Sequence, residues 1–297
     1  MSTVLSKNGA SATKRPRKFR LQHFAKLKEQ GEPIVMVTAY DYTSAKLAQA
    51  AGMEVILVGD SVAMVCLGHQ NTLPVTLEEM LHHAKAVSRG AQSPFLIGDL
   101  PFLSYHGTPE EAVLSAGRFL KEAGMDAVKL EGGSERLPAI RAIIEAGIPV
   151  MGHLGLTPQK IRQFGGFRPQ ARTAEAAGKL LQDALALQEA GCFSLVLESV
   201  PAEVAAKVTR QLEIPTIGIG AGTECDGQVL VWHDLLGLDD DFLPPFAKAY
   251  RSVGRTIVEG LEEFGREVKS KAFPGASQTR HMEPAELVEF EGLVPSC

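Results

Sequence analysis

Cysteine is scarce and scattered in this chain. Cys66, Cys192, Cys225 and Cys297 are the four, and no two stand in C-x-x-C spacing. That argues against a zinc site or a disulfide framework, so a reducing interior is expected. Cys192 opens an apolar run and reads as a small buried hydrophobe. Long apolar stretches are missing as well: nothing approaches the ~18 residues of a membrane-spanning helix. Nor is there an excess of positive charge. Thirty Lys and Arg stand against 35 Asp and Glu, a net charge of −5, which gives no support to nucleic-acid or anionic-membrane binding. The first twenty residues lack acids and are rich in Ser, Lys and Arg. They lack an apolar h-region, which argues against secretion. A mitochondrial presequence fits their composition; a disordered basic tail over residues 1–19 of a cytoplasmic protein is the favoured expectation.

What the chain does have, at 297 residues and 45% hydrophobic, is enough apolar material for a large core. Its organising feature is a set of short aliphatic runs that each close on a polar residue. They are Val55–Val58 leading to Asp60, then F-L-I-G-D ending at Asp99, A-V-K-L-E ending at Glu131, P-V-M-G-H ending at His153 and S-L-V-L-E ending at Glu198. Uninterrupted aliphatic runs suit strands covered on both faces, as in a parallel sheet. Strands are predicted near 34–40, 55–60, 95–99, 127–131, 149–153, 194–198, 215–220 and 229–233. Helices are predicted near 42–51, 76–89, 109–123, 135–146, 173–190, 201–212 and 245–268. Ala-Gly at 51–52, 123–124, 146–147 and 190–191 reads as helix termination before the next strand. Thr76 with Glu79, and Thr108 with Glu111, have capping-box spacing. Eight alternating β units of roughly 30 residues predict an α/β fold, the (β/α)8 TIM barrel, over residues 20–275, followed by an extension over 276–297. A doubly wound open sheet competes, but the first strand ends Thr38-Ala39-Tyr40-Asp41 without a glycine fingerprint.

A barrel gathers all strand C-termini on one face, so the five polar ends converge there. Two carboxylates from G-D contexts, Asp60 and Asp99, repel unless protonated or bridged by a cation. Oxygen donors without His- or Cys-rich motifs favour Mg2+, with Glu131 as a third ligand, directly or through water. The plainer reading makes each acid a helix cap. Lys129, two residues before Glu131, points to the same side of its strand. It either balances the acids or holds a substrate carboxylate. Ser61 has a similar pair of readings, helix cap or substrate contact. His153 is expected at the mouth, either supporting a ligand residue from behind or touching the substrate, and Glu198 is the candidate general base, with an ordinary salt bridge as its plainer reading. I-G-I-G-A-G at 217–222 lacks the spacing of a nucleotide fingerprint and reads as close packing and a tight turn. His82 and His83 sit mid-helix and are poor ligand candidates; His69 lies in the loop after the second strand. The stretch Phe164-Gly165-Gly166-Phe167-Arg168 resembles a mobile flap.

Taken in order, the strings T-A-Y-D-Y (38–42), V-G-D-S (58–61), G-H…T-L-P-V-T (68–76), D-L-P-F (99–102), V-K-L-E-G-G (128–133), G-H-L-G-L-T-P-Q (152–159), L-E-S-V-P (197–201) and I-G-I-G-A-G…D-G-Q (217–228) resemble the ketopantoate hydroxymethyltransferase family. The resemblance implies a barrel of the phosphoenolpyruvate/pyruvate superfamily, assembled as a homodecamer. It would transfer a hydroxymethyl group from 5,10-methylenetetrahydrofolate to 3-methyl-2-oxobutanoate. By the same resemblance, Asp60, Asp99 and Glu131 hold Mg2+. Asp60, Ser61, Asp99, Lys129 and His153 contact the oxo acid, and Glu198 removes its C3 proton. The nearest rival is a Mg-dependent C–C lyase of the same superfamily. Such enzymes resemble one another in a catalytic cysteine within a K-[KR]-C-G-H loop, and none of the four cysteines here has that context. A non-catalytic barrel that binds small acids is the rival from another class.

Overall fold

The computed structural model describes residues 17–166, 168–239 and 243–294. Most of the expected basic tail, Phe167 of the expected flap and Cys297 lie outside the described residues. Eight parallel strands close into a barrel in chain order: β1 (Ile34–Thr38), β2 (Val55–Val58), β3 (Phe95–Asp99), β4 (Ala127–Glu131), β5 (Val150–Gly155), β6 (Ser194–Glu198), β7 (Thr216–Ile219) and β8 (Gly227–Leu230). The ring is completed by β1 against β8, with Met36 opposite Val229. The helices are α1 (Leu21–Gln30), α2 (Tyr42–Ala50), α3 (Val62–Val65), α4 (Leu77–Gly90), α5 (Pro109–Ala123) and α6 (Leu137–Glu145). They continue with α7 (Ile161–Phe164), α8 (Ala174–Glu189), α9 (Ala202–Gln211), α10 (Trp232–Leu236), α11 (Val253–Ser270) and α12 (Pro284–Leu293).

Local chemistry accounts for the punctuation. Thr76 and Glu79 exchange bonds at the start of α4, Glu79 N–H to Thr76 Oγ1 at 3.2 Å and Thr76 N–H to Glu79 Oε2 at 2.8 Å. Thr108 and Glu111 do the same at the start of α5. After α5, Gly124 takes φ +67°, a left-handed conformation that an L side chain rarely adopts.

Strand periodicity sorts the core into two. Residues facing into the barrel, among them Ile34, Met36, Val55, Leu57, Phe95, Ile97, Ala127, Met151, Val196, Ile217 and Val229, form an inner cluster. Their alternates, such as Ile56, Val58, Leu96, Val128, Leu130, Val150, Leu195 and Leu197, pack outward against the helices. Following the inner set upward by twos leads from Ile97 to Asp99, from Ala127 through Lys129 to Glu131, from Met151 to His153 and from Val196 to Glu198. The apolar floor therefore becomes a polar mouth by simple alternation.

The floor is stoppered by α1, which the sequence reading did not predict. Phe24, 1% exposed, sits with its ring 5.2 Å from Phe95 and 4.9 Å from Phe193, edge-on to both. Just before the helix, Phe19 N–H donates to Ser93 O and Lys18 pairs with Asp126 at 2.6 Å, so the chain is already bound to the barrel at these residues. Two other predicted elements differ. The last strand lies at Gly227–Leu230 and not 229–233, because α10 begins at Trp232. The long helix starts at Val253, not 245: Pro244 and Pro245 fall in a turn closed by Ala247 N–H to Pro244 O.

Candidate active site

The acid cluster is built from the ends of β2 to β6. Asp60, Asp99, Lys129, Glu131 and His153 are all buried, at 4, 1, 3, 2 and 2% exposure. Asp60 N–H donates to Asp99 Oδ2 at 3.1 Å, joining β2 to β3. Lys129 Nζ donates to Asp99 Oδ1 at 2.7 Å and stands 4.0 Å from Glu131 Oε1. His153 bridges onward, with Nδ1 3.5 Å from Glu131 Oε1 and Nε2 3.2 Å from Glu198 Oε2. These last contacts are out of line for hydrogen bonds: Glu131 Oε1 and both imidazole nitrogens have no hydrogen-bond partner. Charge, not a directed bond, couples them. No acid of the cluster caps the helix that follows it, and the Ser61 side chain does not either. Its hydroxyl lies 2.8 Å from the Tyr40 hydroxyl at the edge of the mouth.

Two residues that the sequence reading gave no role hold the cluster together. Gln159, 4% exposed, spends its whole polar capacity there. Its side-chain NH2 donates to Asp60 Oδ2 and Leu100 O, both at 3.0 Å, and its backbone N–H donates to Glu131 Oε2 at 3.0 Å. Its Oε1 accepts from the Tyr105 hydroxyl at 2.7 Å, and that hydroxyl accepts from Glu131 N–H at 3.1 Å. One neutral amide thus ties three strand ends. Gln159 stood in the G-H-L-G-L-T-P-Q string, but a neutral side chain in a loop carries no signature of such a role.

The electrostatics follow from burial. Loss of water raises the Asp60 carboxyl well above its usual range, and Asp99 and Glu131 raise it further. Burial also raises Asp99, although Lys129 works against it. Glu131 goes the other way: burial disfavours its charge, but His153 and Lys129 outweigh that and hold it low. Burial and Lys129 oppose a charged His153, yet Glu131 and Glu198 lift it to about 9. Lys129 is raised because Asp99, Glu131 and Asp60 overcome its desolvation.

Hard oxygen donors, two adjacent carboxylates with raised proton affinity and an unpartnered Glu131 oxygen fit a hard divalent cation such as Mg2+. Among the described residues, no three His, Cys, Asp or Glu side chains converge into a cage. Magnesium needs none, since it keeps waters and takes one or two carboxylates alongside substrate oxygens.

Elsewhere the remaining sequence-predicted residues fall as follows. His83 Nδ1 lies 2.6 Å from Tyr40 O, while His82 and His69 are exposed and outside the cluster. Gly220 and Gly222 take φ +62° and +81°, and a Cβ on Gly220 would meet Phe246 at 2.8 Å, so this glycine run serves a turn and close packing. Cys192 is buried. No helix among the described residues is long and apolar enough to cross a membrane.

A closed parallel barrel whose strand ends present buried carboxylates beside a lysine and a histidine is a (β/α)8 barrel with a candidate active site at its C-terminal mouth. The family model described as ketopantoate hydroxymethyltransferase matches residues 18–276, and the chain belongs to that family. A 3-methyl-2-oxobutanoate hydroxymethyltransferase of Chloroflexus aggregans is 55% identical over 272 residues, 92% of this chain and 97% of the relative. One of Moorella thermoacetica is 57% identical over 248 residues, 84% and 92% of the two chains. Among solved structures, a phosphonopyruvate hydrolase aligns with TM-score 0.58 at 14% identity, covering 92% of this chain and 95% of its own. A 2,3-dimethylmalate lyase aligns with TM-score 0.56 at 18% identity, covering 94% and 96%. At such identities the likeness shows the fold alone.

Proposed function

We propose that the chain transfers a hydroxymethyl group from 5,10-methylenetetrahydrofolate to 3-methyl-2-oxobutanoate, giving 2-dehydropantoate, with the barrel-mouth cluster as its active site. One observation carries the reading: five consecutive strand ends meet in one contact chain, through the Asp60 N–H to the Asp99 carboxylate and then through the side chains of Lys129, Glu131, His153 and Glu198. Asp60 and Asp99 would hold Mg2+, with Glu131 at the edge of the same site, reached directly or through water. Bound there, the cation would polarise the oxygens of a 2-oxo acid and so acidify its C3 hydrogen.

The chain's own groups divide the remaining work. Glu198 is the base. At 14% side-chain exposure it is the most open of the four acids, placed where a substrate can arrive, and it receives the C3 proton on its carboxylate. His153, charged between Glu131 and Glu198, holds that carboxylate toward the mouth. Lys129 balances Asp99 and offers its remaining N–H donors to a substrate carboxylate. The Ser61 hydroxyl, oriented by Tyr40, supplies a further hydrogen bond.

The lyase reading is weaker on two counts. Its solved representative here is only 18% identical, and no cysteine stands at the mouth in a K-[KR]-C-G-H context. Assembly as a homo-oligomer, a decamer by family resemblance, is supported by α11, where Ile257, Leu261 and Phe264 are 50, 65 and 53% exposed. A cytoplasmic location accords with the scarcity of cysteine.

Glu198→Gln tests the assignment. Calorimetry should show oxo-acid and Mg2+ binding retained, while NMR shows solvent exchange of the C3 proton slowed by about 100- to 10,000-fold. Exchange at the wild-type rate would remove Glu198 from its role.

A further inference from the structure

A second recess opens on the same rim, outside the barrel wall. It encloses about 530 Å³. Gly132 and Gly133, which follow Glu131, form one side, and Leu154 and Gly155, which follow His153, form another; the first turns of α8 close it. The recess thus starts one residue beyond two members of the acid cluster without containing any of them.

Its chemistry is opposite to that of the mouth. Arg136, Lys160 and Lys179 line it, with Glu135 and Asp183 paired to the two lysines. Arg136 has no such carboxylate: its guanidinium lies 6.0 Å from the Tyr105 ring centroid, and its buried Nε has no hydrogen-bond partner. Thr157, 3% exposed and part of the lining, also has a hydroxyl without a partner. Buried polar atoms left unpaired in a native fold call for an explanation, and a ligand supplies one. The segment above the recess points the same way. From Leu154 to Ala174 the sequence carries Lys160, Arg162, Arg168 and Arg172 and no acid, in a chain of net charge −5. Arg162, Arg168 and Arg172 are exposed.

We propose that this recess and its basic segment bind the γ-glutamyl tail of the folate co-substrate, leaving the pteridine end at the acid cluster; the inference rests on the one-carbon transfer reading above. A tail of carboxylates spaced along a flexible chain suits separated cations, and arginine pairs with a carboxylate through two parallel N–H donors. The mouth already takes the carboxylate of the oxo acid, which leaves the tail to the recess. Each added glutamate brings one more carboxylate to the basic segment. Affinity therefore rises with tail length and falls with salt.

The test compares tetrahydropteroyl-monoglutamate with tetrahydropteroyl-tetra-γ-glutamate on the full chain, with Mg2+ and the oxo acid present, by equilibrium binding and by turnover of their 5,10-methylene forms. The wild type should bind the tetraglutamate about tenfold more tightly than the monoglutamate, and added salt should shrink that ratio. Lys160→Gln and Lys179→Gln, made separately so that one folding defect cannot decide the matter, should each cut the ratio about threefold. Lys207→Gln, on the exposed face of α9, should leave the ratio where it was. A wild-type ratio near one, or a ratio that both lysine substitutions leave intact, overturns the tail site while the transferase reading stands on monoglutamate turnover. Absence of turnover with either folate overturns both.

Discussion

Removing the Gln159 amide while keeping its bulk is the sharpest perturbation of the site. In Gln159→Leu the backbone N–H still donates to Glu131 Oε2, so Glu131 keeps its anchor. Asp60 Oδ2 and Leu100 O lose the donor they share, and both lie in residues that are at most 4% exposed. The Tyr105 hydroxyl loses the Gln159 acceptor but can turn to Glu131 O at 3.3 Å, and it keeps the Glu131 N–H as a donor to it. Each orphaned buried acceptor costs about 1–3 kcal/mol, so the loss is roughly 2–6 kcal/mol. For a domain of this size that corresponds to a melting temperature lower by about 5–15 °C, measured in EDTA by circular dichroism. Because Asp60 is then free to rotate, Mg2+ affinity measured by calorimetry should fall by about tenfold or more. A variant that melts within about 1 °C of the wild type and binds Mg2+ equally well would refute the account of Gln159 as the tie between strand ends.

Three further outcomes follow from the same geometry. Gly98→Ala would place a Cβ 2.2 Å from the Phe119 ring, so α5 must shift from β3 next to Asp99, costing about 1–3 kcal/mol in denaturant unfolding. Phe24→Ala empties the stopper at the barrel floor and should cost about 3–5 kcal/mol, with the oxo-acid exchange rate of the folded fraction unchanged. The metal-free protein should lose stability as pH rises from about 6.5 to 9. His153, raised to about 9, stabilises fully below its unfolded value and stops doing so as pH passes its folded one, a contribution of roughly 3 kcal/mol at most. Asp60 and Asp99, both raised, act with the same sign above the ordinary carboxylate range, whereas Glu131, lowered, matters only in acid. A melting temperature that climbs over that window in EDTA would contradict these charge assignments.

Much of the barrel was legible because burial on both faces leaves unbroken aliphatic runs, and because Thr-x-x-Glu and Ala-Gly mark helix ends chemically. The strand-end acids could be picked out for the same reason: an Asp or Glu closing such a run is costly unless it has a task. What stayed hidden lacks a local signal. Helix α1 has Arg20 at its N-cap in place of a Ser, Thr, Asp or Asn; the His23 ring nitrogen accepts from Arg20 N–H at 2.8 Å. Gln159 and Tyr105 act through neutral hydrogen bonds across 54 positions of sequence, a pairing only the closed barrel creates. The alternatives left open for Lys129 and Ser61 also needed coordinates, which put Lys129 on Asp99 and Ser61 on Tyr40.

The central claim, that a metal held by distant acids and the Glu198 base act together on an oxo acid, is tested most directly by following C3 of 3-methyl-2-oxobutanoate in D2O by NMR without folate. Rapid deuterium incorporation with Mg2+ that stops on adding EDTA and returns with excess metal is the predicted result. Incorporation unaffected by EDTA, or absent in the presence of Mg2+, would contradict it.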